Sequence, residues 1–336
     1  MLIRRYVHED YPNVMGLISA VYNEDIYKKA VQRFQWQYEQ NPNNTSQGPL
    51  IFVLEDNNKI TGMIGTFAQK IKIGDSSYPA CWVGDFMVHP GCRSGFNGTK
   101  LARTIIAQPG MMMGFPAKNT LKLWFRAGAM AFSELVEYTK TVRHFDRLIS
   151  SFTAVRHYLE CGNLIQIVDI NQFDERFDRL WEKASKGYGA IQQRDSIFLN
   201  WRFFKCPYLT YQVLAAVKGD EILGYIIIRV GDSNKIKEGH VVDLFTERTD
   251  RLVLKTLMRA GIQVLNNNGC EVIKMTISSQ ERILNDFLLQ CYFSPSVNNK
   301  RTGILINNMD KSLNPIIKEP GKWFLTKADS DIDFAL

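Results

Sequence analysis

The sequence has no apolar run near the roughly 18 to 20 residues that a membrane span requires, so no membrane-spanning helix is expected. Its cysteines, Cys81, Cys92, Cys161, Cys206, Cys270 and Cys291, form no CxxC pair and have no histidine at metal-like spacing. That pattern argues against a zinc site and a disulfide framework, and predicts reduced thiols. The opening, MLIRRYVHEDYPNV, lacks the apolar core and small-residue cleavage site of a secretory signal. These absences together predict a cytoplasmic protein. Near the other end, Asp329, Asp331 and Asp333 are spaced by two, as in a calcium loop, without the glycine and distal glutamate of an EF-hand. No metal is expected there. The run reads as a solvated acidic tail, the sharper alternative being a cluster that meets a cationic amino substrate.

What is present describes a globular chain: 336 residues, 45% hydrophobic and 22% charged, a length that suits two domains of about 150 residues each. A net charge of +7 favours an anionic ligand such as a nucleotide or a CoA-type cofactor. The positive charges are dispersed, which makes nucleic acid a less suitable partner than a small anion.

The chain also repeats itself, and a long-period repeat decides the fold. FQWQYEQNP (34–42) and FLNWRFFKCP (198–207) share Trp-x-aromatic-x-x-x-Pro through Trp36, Tyr38, Pro42 and Trp201, Phe203, Pro207. A short β-like opening and an amphipathic helix precede each motif. After each comes a strand, a polar turn and a second strand that carries Gly62 or Gly224. Next come strands with an aspartate in an apolar run, CWVGDFMV and HVVDLF (Asp85, Asp243), then a helix, a strand and a further helix. The order predicts two similar lobes, 1–140 and 163–336; their joint falls in the helix-prone, charged stretch Ser133–Asn163, with the connector itself at 141–162.

This unit, β–α–(α)–β–β–β–α–β–α, resembles the GNAT acyltransferase superfamily in tandem. The strongest resemblance lies in Val88, His89, Pro90, Arg93, Gly95, Gly98 and Leu101, set as the family sets its Val-x-Pro strand end, its Arg/Gln-x-x-Gly-x-Gly/Ala turn and the leucine one turn later. One departure is visible: the family's central glycine falls at Phe96, and this chain places glycine at Gly95. The Trp-x-aromatic motif, Gly84-Asp85 and the closing WFLTKADSD (323–331) are similar to members found in surface-polysaccharide and related biosynthetic clusters. The implied fold is α/β (α+β), two lobes each with a mixed, mostly antiparallel central sheet flanked by helices.

Physical chemistry supports an anion site at that turn independently of the family. A helix N-terminus offers unpaired N–H groups and partial positive charge. Glycines let the backbone approach a diphosphate, and successive amides form a concavity. Arg93 adds a cation of phosphate-matching shape. The turn Arg93, Ser94, Gly95, Phe96, Asn97, Gly98 is therefore the expected cofactor-binding loop. The resemblance adds backbone groups of Phe86, Met87 and Val88 for the pantetheine arm of acetyl-CoA or another acyl-CoA. In the second half Glu247 and Asp250 stand where a phosphate would lie, which predicts a degenerate lobe that shapes the substrate pocket or supports its partner.

For catalysis, a carboxylate in an apolar strand is costly unless partnered or functional, so Asp85 is the leading candidate, with a bracing role as the alternative. His89, of the side-chain type most used as acid or base at neutral pH, is the second. The resemblance places the family's acid at Trp124, which cannot donate as a phenol does; Trp124 and Asp243 are taken as substrate-pocket residues. Trp36 and Trp201 are expected core anchors. The reaction implied is acyl transfer to a small-molecule amine by direct attack in a ternary complex, on a monomer or homodimer. The rivals are a tRNA-dependent aminoacyl transferase of the same fold and a non-catalytic binding protein.

Overall fold

The computed structural model describes residues 1–45, 48–94, 96–142, 165–233, 236–307, 311–331 and 333. Strand β1 (Leu2–Arg5) pairs antiparallel with β2 (Ile51–Asp56), and between them lie α1 (Tyr11–Val21) and α2 (Glu24–Phe34). The proline of α1 sits in its first turn, where a missing N–H costs nothing, and Val14, Met15, Leu17 and Ile18 form its buried face. Asn23 caps α2 by accepting from Ile26 N (3.0 Å). A π-helical turn, Gln35–Glu39, follows.

Asn57 and Asn58, both at positive φ, turn β2 into β3 (Lys59–Ile73), the tight hairpin geometry that asparagine tolerates. Then come β4 (Ser76–Val88), α3 (Asn97–Ile106), β5 (Met111–Gly114), α4 (Leu121–Ala127) and β6 (Met130–Thr141).

The second half runs through the same series. It comprises β7 (Gln166–Ile170), α5 (Glu175–Ala184), β8 (Ala190–Gln192), α6 (Ser196–Leu199) and the π-helical turn Asn200–Phe204. There follow β9 (Gln212–Lys218), β10 (Glu221–Ser233), β11 (Ile236–Thr246), α7 (Arg251–Asn267), β12 (Val272–Ser278), α8 (Arg282–Gln290) and β13 (Ser294–Asn307). The chain closes through α9 (Asn314–Ile317) and β14 (Trp323–Phe324).

The strand order β1-β2-β3-β4-β5-β13-β6-β12-β11-β10-β9-β7 is a palindrome of equivalent strands. Its centre is crossed over. The last strand of each half pairs with the fifth strand of the other, β13 with β5 and β6 with β12, and β6 and β13 pair with each other. A single mostly antiparallel sheet therefore runs through both halves, with helices on its faces. This corrects one expectation: Ser133–Thr141 is strand, not helical connector. The rest of that connector lies outside the described residues.

The repeat motif explains the join. Trp36 and Trp201 stack at 4.8 Å between ring centroids, 19° from parallel. Trp36 Nε1 donates to the Trp201 carbonyl (2.9 Å) and Trp201 Nε1 to the Trp36 carbonyl (3.1 Å). Both rings are buried, so each indole satisfies its donor on the other's backbone, as a buried Trp requires. They are the expected anchors.

The acidic segment is not a solvated tail. Asp329 accepts from Arg194 Nη2 (3.0 Å) and from Thr326 N (2.6 Å), while Asp333 accepts from Arg229 Nε (2.9 Å) and Tyr211 Oη (2.8 Å). The buried arginines supply the counter-charge that a buried carboxylate requires, and residues 323–331 and 333 pack into the core.

Candidate active site

Strand β4 pairs with β5 in parallel only over Ala80↔Met111, Cys81↔Met112 and Trp82↔Met113. Beyond Trp82 the two strands part, while β5 pairs on its other edge with β13 through Met112, Met113 and Gly114. The gap is a cavity of about 160 Å³ whose lining includes Gly84, Asp85, Phe86, Phe115, Trp124 and Asp331.

Within that stretch β4 carries a bulge. Gly65 pairs with Gly84 and Met63 with Met87, so Asp85 and Phe86 together face Ile64, and Asp85 takes a left-handed φ of 48°. The bulge turns its carboxylate onto α2 and the π-turn. Oδ1 accepts from the Arg33 guanidinium and Oδ2 from Tyr38 Oη (2.6 Å). Arg33 and Tyr38 are both buried. Burial first, and Asp85 second, holds the Tyr38 phenol well above its usual value, so it remains a donor. Gly65 is obligatory here, since a Cβ on it would lie 2.2 Å from Tyr38 Oη.

Asp331 completes the group. Its Oδ2 lies 3.4 Å from where a Cβ on Gly84 would stand, so glycine at 84 leaves the carboxylate room to approach β4. Burial, then the charge of Asp85, pushes Asp331 up to about 6, against the pull of Arg33 and Arg301. Beside the same glycine, Gln37 is fully buried with neither amide atom partnered. A buried amide with nothing to bond is costly unless something enters the site.

The loop after β4 leads into this gap. His89 Nδ1 accepts from Gly91 N (3.2 Å) and caps the turn at Pro90–Cys92; it is not among the residues that line the cavity. Arg93 Nε donates to the Val88 carbonyl (3.2 Å). Asn97 Nδ2 holds the carbonyls of Cys92 (2.8 Å) and Ser94 (3.0 Å), bracing the loop from inside. Phe96 takes φ 62° at the N-cap of α3 and is exposed. The backbone thus makes the left-handed turn suited to glycine while carrying a phenylalanine.

Phe96 gives the helix no side-chain cap, which leaves the first amides of α3 open to a ligand. A Cβ on Gly98 would stand 3.3 Å from Phe86 Cζ, so the helix start and the cavity wall are in contact. Met87 and Val88 are buried, packed on the α1–α2 face and the α3–α4 face of the sheet. Phe86 and Trp124 meet edge-on at 5.6 Å. Gly95 lies outside the described residues.

The structure therefore brings together Asp85, Phe86, Trp124 and Gly98, and adds Asp331, Arg33, Tyr38 and Gln37. Asp331 sits 246 positions from Asp85 in the sequence, and the sequence signal for it was the DSDID run. Asp243 does not line this cavity. It is fully buried, and it accepts from Arg194 Nε (3.0 Å), Tyr225 Oη (3.0 Å) and Thr326 Oγ1 (2.9 Å). With its oxygens so occupied it braces the core.

Residues 2–108 match the acetyltransferase (GNAT) domain family model. No curated protein matches the sequence. Among solved structures, the chain is similar to a probable N-acyltransferase from Enterococcus faecalis V583 (TM-score 0.61, 10% identity, covering 90% of this chain and 71% of that one). It is similar to a GCN5-related N-acetyltransferase from Anabaena variabilis ATCC 29413 (0.60, 11%, 91% and 73%). It is also similar to the Saccharomyces cerevisiae N-myristoyltransferase with bound myristoyl-CoA (0.55, 12%, 91% and 83%). At such identities the likeness is one of fold. Residues 2–108 thus carry the match to the GNAT acetyltransferase domain, and the chain as a whole has the fold of these N-acyltransferase structures. Among the described residues no helix is long and apolar enough to cross a membrane.

Proposed function

We propose that the protein transfers an acyl group from an acyl-CoA, acetyl-CoA foremost, to the amine of a small cytoplasmic acceptor such as an amino sugar or biosynthetic intermediate. The observation that carries this reading is the continuity of one path. It begins at the uncapped start of α3, passes Gly98 and Phe86, and ends in the β4–β5 gap at Asp331. The residues fit the donor. The amides of Asn97 and Gly98, with Arg93, would hold its diphosphate. The β4 edge from Val83 to Val88 would hold the pantetheine arm, because that edge has no strand partner on its β5 side among the described residues. Bound there, the donor supplies an electrophilic thioester carbonyl.

The chain's own groups then have separate roles. Asp331, pushed up to about 6, is poised to take the proton of an acceptor ammonium near neutral pH, where a general base works best. Asp85, tied to Arg33 and Tyr38, keeps a fixed negative charge beside it. Gln37 is placed to position the acceptor. Phe86, Phe115 and Trp124 exclude water. No cysteine or serine nucleophile is needed.

Thermal shift and calorimetric titration with acetyl-CoA and with bulk tRNA test the reading. Acetyl-CoA is expected to bind saturably. Gly98→Asp places a carboxylate at the helix start and against Phe86, and should weaken that binding by about 100-fold, or about 2.7 kcal/mol. Binding of tRNA without acetyl-CoA would instead point to aminoacyl transfer, and binding of neither to a non-catalytic protein.

A further inference from the structure

A second cavity, of about 370 Å³, adjoins the first. The two share Pro116 and Ala117, residues that follow β5. Its lining is basic: Lys118 before α4, Lys300 and Arg301 on β13, and Lys327 from the closing segment, against a single carboxylate, Glu137. Glu137 is itself engaged, accepting from Asn299 Nδ2 (2.9 Å) and lying 3.9 Å from Lys327 Nζ. Lys300 reaches Glu134 (2.9 Å) at an exposed position. Lys327 is buried against His240 Nδ1 (3.1 Å). Four cationic side chains thus share one lining carboxylate, and a wall of this charge suits a ligand that brings negative charge.

Strands of both halves line the cavity, β6 through Glu137 and β12 and β13 through Thr276 and Thr302. Arg301 is near enough to Asp331 to pull on its titration. An anion held at Arg301 and Lys300 would therefore lie next to the β4–β5 gap, across Pro116 and Ala117.

We infer that this basic cavity is the acceptor's anion subsite, and that the acceptor is an amine carrying a phosphate. A phosphate monoester brings a charge of about −1.5 to −2 at neutral pH and three acceptor oxygens, which suits several converging cations better than one carboxylate does. The planar guanidinium of Arg301 suits two phosphate oxygens at once. This inference rests on the acyl-transfer reading and names its substrate class.

The test is calorimetric titration of the full chain with two matched pairs: glucosamine 6-phosphate against glucosamine, and O-phosphoethanolamine against ethanolamine, with β-alanine as the carboxylate control. At least one phosphorylated amine is expected to bind tenfold or more tighter than its parent. Arg301→Gln and Lys300→Gln should each erase most of that difference, while coenzyme A binds as before. Equal affinity within both pairs overturns the inference, as does an equal gain for β-alanine. Variants that weaken coenzyme A in place of the phosphorylated amines hand the cavity to the donor, which also overturns it. If coenzyme A fails to bind the unmodified chain, the acyl-transfer reading falls first and this one with it.

Discussion

The two halves place an aspartate in the same strand and treat it in opposite ways. In the first, β4 and β5 part after Trp82, the gap stays open, and Asp85 shares it with Asp331. In the second, β11 and β12 pair in parallel only from Glu238 to Val241, so the same parting begins. There the chain fills it. Thr326 bridges to Ile277, Leu325 bonds to Ser278, and Arg194 enters to meet Asp243 and Asp329.

The helix starts differ in the same sense. Asp250 caps α7 with its own carboxylate, accepting from Val253 N (3.0 Å), whereas α3 has no side-chain cap. The backbones differ as well: Phe96 takes φ 62° and Asp250 φ −79°. In the second half internal groups fill the parting, and they also seat the segment that carries Asp331.

Removing Asp331 should separate the halves most sharply. Asp331→Asn is expected to lower kcat by about 10²–10⁴-fold, measured by thiol release from acetyl-CoA. In the unmodified enzyme, turnover should rise with pH through about 6, since the base acts deprotonated. Stability moves the other way. A carboxyl raised to about 6 in the fold stabilises the protein below its unfolded value near 4, and that stabilisation is lost as pH rises through about 6. At pH 8 Asp331→Asn should therefore melt at least about 2 °C higher. A variant that is both inactive and less stable would mark Asp331 as a brace like Asp329.

The join is next. Trp201→Ala removes one ring of the stack and the indole donor that bonds the Trp36 carbonyl, and should cost about 3–5 kcal/mol in urea unfolding. Trp36→Ala should cost a similar amount, with the double variant well short of additive. Smaller effects separate the two helix starts. Asp250→Ala should cost about 1 kcal/mol through the lost cap and leave coenzyme A binding untouched. Phe96→Gly should stabilise by about 1 kcal/mol, since glycine adopts φ 62° without strain; a melting temperature that falls would show that the exposed ring has a partner.

Much of the fold was legible because it is written twice. The Trp-x-aromatic motif, the strand aspartates and the glycine-bearing strands recur in order, and a repeat in sequence became a palindrome in the sheet. The crossing of β6 and β13 was not legible, because strand pairing between distant segments leaves no local periodicity. That is why Ser133–Thr141, alternating and charged, passed for helix. Around the cavity, Asp85, Phe86 and the turn at Gly98 are neighbours in sequence and in space. Asp331 was visible only as part of an acidic run, whose burial depends on Arg194, Arg202 and Arg229, far from it in sequence. The bonds that His89 makes to its own turn and Asp243 to the core leave no trace in a motif.

Electron density for bound coenzyme A tests the central claim most directly. The account predicts the diphosphate on the amides of Asn97 and Gly98 and the thiol between Phe86 and Phe115, facing Asp331. Density with the diphosphate at Asp250 and α7, or with the nucleotide in the basic cavity and the β4–β5 gap closed by side chains, would contradict it.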